Sequence, residues 1–344
     1  MRVLVTGGAG YIGSHAALRL LDDGHEVSVI DDLSRGHLGA VRIFEESGGD
    51  RFCFAQASLA DREAVERLLR DRRIDTILHF AGIAYVGESV DHPLRYYARN
   101  TAATISLLES MAACGVARII FSSTCATYGE PDPSRIPIAE TCPQAPVNPY
   151  GRSKYFVEQL LLDHRRAELA AGRSFSMALL RYFNVAGSDV RGRLGEDHRP
   201  ETHLIPICLE VAAGQRPQIG VFGTDYPTPD GTCLRDYVHV DDLVDAHVAV
   251  LGVLRSDAAP AWNIGLGRGI SVREVIDACR RVTGHPIPVA EQPRRPGDPP
   301  ALFADPSRIR ADIGWSARCT DLDEIVRSAW QWRCAHPHGY LDCA

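Results

Sequence analysis

Along the first half of the chain, short β-branched apolar runs alternate with longer stretches whose apolar positions recur every three or four residues. Residues 3–6, 27–31, 76–80 and 119–122 have the composition of strands buried on both faces, and 176–182 continues that series. Helical spacing occupies residues 12–21, 62–70, 94–113 and 149–166. Strands and helices in strict alternation predict an α/β chain with a Rossmann-type, doubly wound parallel sheet. After Asn184 the texture changes. Glycine, proline and charged residues break up 187–200 and 226–231, and 286–300 is rich in proline. Ser271 followed by Glu274 has the form of a capping box and predicts a helix through Val282. The expected organisation is a nucleotide-binding domain over 1–184, with the chain crossing back around 236–264, and a smaller mixed α/β domain for a substrate over 185–344.

Composition narrows the function classes. The chain has 344 residues and a net charge of −7, without the basic stripe that would neutralise phosphates, so neither nucleic acid nor an anionic membrane is an expected partner. Met1-Arg2 leads directly into Val3-Leu4-Val5 with no apolar leader, and no run approaches transmembrane length, so a cytoplasmic location is expected. The ten cysteines form no C-x-x-C pair and the thirteen histidines no ligand pair at helical spacing, so no metal is expected. His336 and His338 read as a solvated tail.

Candidate chemistry begins after the first strand. Thr6-Gly7-Gly8-Ala9-Gly10-Tyr11-Ile12-Gly13 joins strand to helix, where a dinucleotide pyrophosphate docks on free backbone N–H groups. Asp31 ends the second strand. Its carboxylate can hold both hydroxyls of an adenosine ribose and would repel a 2′-phosphate, which predicts NAD rather than NADP, with Arg35 nearby as the opposing feature. Further on, Tyr150 and Lys154 fall one helical turn apart on a shared face. A phenol is a poor base at neutral pH unless positive charge favours its phenolate, and Lys154 can supply that charge.

These motifs together resemble the extended short-chain dehydrogenase/reductase family. Segments 121–129 (FSSTCATYG), 148–154 (NPYGRSK) and 181–187 (RYFNVAG) narrow the resemblance to its UDP-glucose 4-epimerase branch. Segments 202–206, 225–232, 235–240 and 294–298 extend it over essentially the whole chain. The resemblance implies a homodimer, formed through the helices at 94–113 and 149–166. It also implies NAD-dependent 4-epimerisation of a UDP-hexose, interconverting UDP-glucose and UDP-galactose through a transient 4-keto sugar, with tightly held NAD recycled at each turnover. Tyr150 would be the acid/base, Lys154 would bind the nicotinamide ribose and lower the tyrosine pKa, and Thr124 would hydrogen-bond the reacting sugar oxygen. NAD contacts carried over are Gly7, Gly10, Tyr11, Ile12, Gly13, Asp31, Ser34, Ser58, Leu59, Phe80, Ala81, Gly82, Asn100, Ser122 and Tyr182, beside Tyr150 and Lys154. Substrate contacts are Asn184, His203, Leu204, Val221, Phe222, Arg235, Arg295, Asp298 and Leu302, beside Thr124 and Tyr150.

Departures from the family pattern bear on specificity. Ser58 replaces an aspartate that reaches the adenine amine, and Asn100-Thr101-Ala102-Ala103-Thr104 departs from the usual Asn-Val-x-Gly-Thr at Thr101 and Ala103 while keeping Asn100. His203 stands where asparagine is frequent. Leu302 falls at the gate of the sugar pocket, where tyrosine goes with exclusion of N-acetylated sugars and small residues with their admission. UDP-xylose/UDP-arabinose and UDP-N-acetylhexosamines are therefore the alternative substrates. Cys125-Ala126 follows Thr124 with no carboxylate, as elimination chemistry would require. A catalytically silent NAD-binding regulatory module would dispense with Tyr150 or Lys154, and both are present.

Overall fold

The computed structural model describes residues 1–295 and 297–341, which leaves Pro296 and Cys343 outside. The chain alternates strand and helix as the pattern requires: β1 (Arg2–Thr6), α1 (Tyr11–Asp22), β2 (Glu26–Asp31), α2 (Leu38–Gly48), β3 (Phe52–Gln56), α3 (Arg62–Asp71) and β4 (Thr76–His79). Two short helices, α4 (Val86–Asp91) and α5 (Pro93–Tyr96), precede a π-helical turn at Tyr97–Ala102 and α6 (Ala103–Cys114). β5 (Arg118–Thr124), α7 (Pro149–Ala170), β6 (Ser176–Tyr182) and β7 (Asn184–Ala186) follow.

The remainder is built of shorter pieces: α8 (Leu204–Ala212), β8 (Ile219–Phe222), β9 (Leu234–Arg235), β10 (Tyr237–His239), α9 (Val240–Val253), β11 (Ala261–Ile264) and β12 (Ile270–Ser271). The last are α10 (Val272–Thr283), β13 (Val289–Gln292), β14 (Ala301–Leu302), α11 (Ser307–Ile313) and α12 (Leu322–Ala335). Ser271 and Glu274 close the capping box expected for α10.

Seven strands form one parallel sheet in the order β11-β6-β5-β4-β1-β2-β3. Alternate residues of β1 serve opposite faces. Val3 and Val5 pack with α1, α2 and α9, whereas Leu4 packs with α3, α6 and α7. The chain departs from β1 in opposite directions to β2 and, later, to β4, so the crevice between β1 and β4 is the topological switch point where ligands of such sheets bind. A separate apolar core joins α8, α10 and α12 around Ile219, Val221 and Tyr237. Late in the chain α9 covers one face of the sheet and β11 adds the outermost strand beside β6.

Three elements differ from the pattern reading. β3 stands outside that reading, its side chains only partly buried, and α2 opens at His37 without a side-chain cap to mark it. The helix expected over 94–113 is interrupted by the π turn, which turns Asn100 into the interior. Among the described residues no helix is long and apolar enough to cross a membrane. The nine described cysteines are all free thiols.

Candidate functional site

A cavity of about 470 Å³ opens at the carboxyl ends of β1 and β4 and runs from Gly7 and Asp31, past Tyr150, to Arg235 and Leu302. At one end, Gly7 has φ +67° and lies so close to β4's exit that a Cβ there would meet Ala81 N at 2.6 Å. At Gly13 a Cβ would lie 2.2 Å from the Gly7 carbonyl oxygen. Gly10 caps α1 without any side-chain hydrogen bond, so the first N–H groups of the helix face the cleft. A pyrophosphate fits this cradle. The Asp31 carboxylate accepts hydrogen bonds from Ala9 N (3.0 Å) and Leu33 N (2.8 Å). Burial raises its pKa, and those two N–H donors oppose the rise. Arg35 is not poised for a 2′-phosphate: it stacks on Tyr85 at 4.6 Å, bonds the Glu88 carboxylate at 2.9 Å and reaches the Arg199 carbonyl at 2.8 Å.

At the centre, α7 begins with Asn148, whose side chain accepts from Gly151 N at 2.8 Å, and with Pro149 in the first turn. That cap fixes Tyr150 in the first turn and Lys154 in the second, both buried and both lining the cleft. Thr124 ends β5 beside them, its hydroxyl also accepting from Ala126 N at 3.2 Å. The Lys154 ammonium donates to the Ser122 carbonyl oxygen at 3.0 Å and lies 4.9 Å from the centre of the Phe121 ring. The Ser122 hydroxyl in turn pairs with the Tyr182 hydroxyl.

Burial pushes the Tyr150 phenol up to about 12, with the Thr124 hydroxyl pulling the other way. Burial also lowers Lys154 to about 8. Its ammonium is itself desolvated and directed at a strand carbonyl, so loss of water dominates both groups. Tyr182 is raised by burial as well.

At the far end Arg235 bonds the carbonyls of Leu234 (2.8 Å) and Pro299 (3.0 Å) and pairs with Asp298 at 3.3 Å. β14 runs parallel to β9 with Leu302 opposite Arg235. Asn184, His203, Arg235, Asp298 and Leu302 all line the cleft, as do all the carried-over NAD contacts except Asn100. Asn100 sits behind the wall instead, bonded to both backbone groups of Ile83 (2.8 and 3.0 Å) and to Ser153 (2.9 Å).

Leu204, Val221, Phe222 and Arg295 also lie outside the lining. Val221 and Leu204 pack in and against the α8–α10–α12 core. Arg295 stacks on Phe222 at 3.7 Å. Ser58 keeps a hydroxyl at the wall, accepting from Ala60 N at 3.2 Å.

The structure also brings together residues the pattern did not flag. Glu196, His198, Glu201 and His203 place one ligand atom each within 4.8 Å of one another, and Glu196 and His198 line the cleft beside His203. Their spacing is not that of a helix, where no histidine ligand pair was expected. These residues sit in the connection between β7 and α8, where the alternation E-x-H-x-x-E-x-H was the available signal.

Residues 3–265 match the model of the NAD dependent epimerase/dehydratase family. The chain is 46% identical to a UDP-glucose 4-epimerase of Halalkalibacterium halodurans, over 99% of this chain and 98% of the relative. It is 47% identical to a probable UDP-arabinose 4-epimerase of Oryza sativa subsp. japonica, over 98% and 83%. A solved UDP-glucose 4-epimerase from Stenotrophomonas maltophila, with bound NAD and formylated UDP-arabinopyranose, superposes with a TM-score of 0.92 at 42% identity, covering 98% of this chain and 99% of that one. The UDP-Glc/GlcNAc 4-epimerase of Campylobacter jejuni gives 0.83 at 42% identity, over 97% and 99%. With the glycine cradle, Asp31 and the buried Tyr150 and Lys154 on one cleft, the chain belongs to the NAD dependent epimerase/dehydratase family and is an NAD-using epimerase of the extended short-chain dehydrogenase/reductase type.

Proposed function

We propose that the protein interconverts UDP-glucose and UDP-galactose by inverting C4, with Tyr150 as the acid/base. The observation that carries this reading is the continuity of the cleft, which sets Thr124, Tyr150 and Lys154 between the glycine cradle at one end and Arg235, Asp298 and Leu302 at the other. NAD, when bound, supplies a nicotinamide that accepts the C4 hydride and gives it back. Gly7, Gly13 and the open end of α1 hold its pyrophosphate, and Asp31 its adenosine ribose. The Tyr150 phenolate takes the proton of the sugar 4-hydroxyl, and the phenol so formed returns it to the oxygen when the hydride comes back, while the Thr124 hydroxyl orients the same oxygen. Lys154 anchors the nicotinamide ribose. Arg235 offers a planar fork to the diphosphate, and Asp298 accepts from the uridine ribose. The 4-keto sugar stays in the cleft between the two half-reactions and turns over there.

A second reading has its own support: the plant relatives at 47–48% identity are named for UDP-arabinose, and the Stenotrophomonas structure holds a formylated UDP-arabinopyranose. One experiment separates them. The purified protein is incubated without added NAD with UDP-glucose, UDP-xylose and UDP-N-acetylglucosamine in turn, and the products are resolved. Conversion of UDP-glucose with the highest kcat/KM supports the hexose reading; a UDP-xylose preference transfers the proposal to pentoses, and net NADH release without any epimer overturns both.

We also propose a cytoplasmic homodimer. Leu94 (81% exposed) and Val90 (62%) stand out on the helical edge near α7, where Phe156 is exposed beside Tyr97 at 5.9 Å. Such an apolar edge is what a second copy covers. Light scattering at twice the protomer mass is the expected result.

A further inference from the structure

We propose that Glu196, His198, Glu201 and His203 bind one divalent transition-metal ion of the zinc class, which staples the connection between β7 and α8 against the cofactor cleft. The four side chains alternate around a ring. His198 Nδ1 lies 3.1 Å from Glu196 Oε1 and 3.7 Å from Glu201 Oε2, and His203 Nδ1 lies 2.9 Å from Glu196 Oε1 and 3.1 Å from Glu201 Oε1. A tetrahedral ion with bonds of roughly 2.0–2.2 Å separates its ligand atoms by about 3.3–3.6 Å. Glu196 offers one oxygen to both histidines and Glu201 a different oxygen to each. With one ligand atom per residue the four lie within 4.8 Å of one another, so a turn of the Glu201 carboxylate and a contraction of about 1 Å bring them to that edge length.

A second observation points to an occupant. Glu196 Oε1 and His198 Nδ1 are buried and 3.1 Å apart, yet neither makes a hydrogen bond of sound geometry. Two polar atoms that face each other without bonding are what a shared third partner leaves behind. Charge agrees. Two carboxylates and two neutral imidazoles carry −2, which one divalent ion cancels, and nitrogen with carboxylate donors suits zinc or its neighbours better than calcium or magnesium. Glu201 is already aimed, its Oε1 accepting from the N–H groups of Thr202 (2.7 Å) and His203 (2.8 Å).

A route in exists too. A second cavity of about 540 Å³ lies behind the ring, lined by Glu196, His198 and Glu201 together with Glu210 and Arg333. Toward the cleft, His198 meets the edges of Tyr11 (6.1 Å) and Tyr85 (5.9 Å). An ion here would lock two rings that border the cofactor site.

The rival occupant is a pair of protons, which would make both histidines cationic partners of the two glutamates. The full-length protein is stripped with a chelator, loaded with Zn²⁺, desalted and analysed for metal. Wild type should retain about one equivalent, and the double variant His198→Gln/Glu201→Gln about tenfold less. A parallel titration with Co²⁺ reads the geometry in the wild type alone, so the outcome stands even where the variant fails to fold. Intense visible bands of tetrahedral cobalt are expected. Retention near zero in the wild type, equal retention in a folded variant, or the weak spectrum of octahedral cobalt overturns the site.

Discussion

Glu158 and Arg181 meet as a two-point ion pair in the interior, with Nε to Oε1 at 2.9 Å and Nη2 to Oε2 at 2.6 Å. Ser123 (2.5 Å) and Gln144 (2.9 Å) donate to the same carboxylate, and Arg181 also reaches the Tyr128 hydroxyl at 3.0 Å, itself bonded to Asn263 at 2.8 Å. The pair ties α7, one turn beyond Lys154, to the strand residue beside Tyr182. Breaking such a pair strands a buried charge. Glu158→Gln should therefore cost about 3–5 kcal/mol in urea unfolding. A loss below about 1 kcal/mol would show that the charge is not what holds the helix.

The glycine cradle predicts a contrast. At Gly13 an added methyl would stand 2.2 Å from a backbone oxygen, whereas at Gly10 the nearest atom is that same oxygen at 3.4 Å. Gly13→Ala should strip NAD from the purified protein and destabilise it by about 1–3 kcal/mol, while Gly10→Ala keeps most of its cofactor. Cofactor content after gel filtration decides; equal content in the two variants refutes the steric account.

Tyr150→Phe removes the hydroxyl proposed to carry the proton while leaving the ring in its buried place. Turnover should fall by roughly 10²- to 10⁴-fold with substrate affinity largely kept. Unchanged turnover would take Tyr150 out of the mechanism.

Stability of the cofactor-free protein should depend on Lys154. Its folded pKa of about 8 lies below the ordinary 10.5, so between these values the unfolded chain binds a proton that the folded chain has released. Raising the pH through that window adds stability, and below pH 8 the cost of burying the ammonium is felt in full. Tyr150, raised from 10.0 to about 12, acts in the opposite sense once the pH exceeds 10. In Lys154→Met the first dependence vanishes, so its stability relative to wild type should decline from pH 8 to pH 10. Parallel curves in urea titrations would contradict this.

The gate role that the resemblance implies for Leu302 predicts the breadth of sugars accepted. Leu302 lines the cleft at its far end, with its backbone held in register against Arg235. Leu302→Tyr should lower kcat/KM for a UDP-N-acetylhexosamine by about tenfold relative to a UDP-pentose, as an overpacked wall does, and Leu302→Ala should shift the ratio the other way. An unaltered ratio in both would place selectivity elsewhere.

What could be read from the residues alone follows how local the information is. The strands of the sheet's middle announce themselves because burial on both faces makes them continuously apolar; β3 does not, because its side chains are only half covered. Gly7, Asp31, Tyr150 and Lys154 are legible because each motif lies within one turn or one strand end. The substrate side depends on segments far apart in sequence, and there Val221 went to a core and Arg295 to a stack on Phe222 instead of to the cleft wall. The glutamate–histidine ring was hidden for a different reason: its residues are close in sequence but share a loop, and no regular period marks a loop.

The return of β11 to the sheet has a consequence for how the molecule can be divided. β6 is shielded on its outer side by a strand that arrives some eighty residues later, with Leu179 N bonded to the Pro260 carbonyl at 2.9 Å. A chain stopped at residue 184 would expose that strand's unpaired edge and uncover the α9 face of the sheet. The first half is thus not an excisable module: the sheet and the later part of the chain are stitched together, and they should melt in one cooperative step.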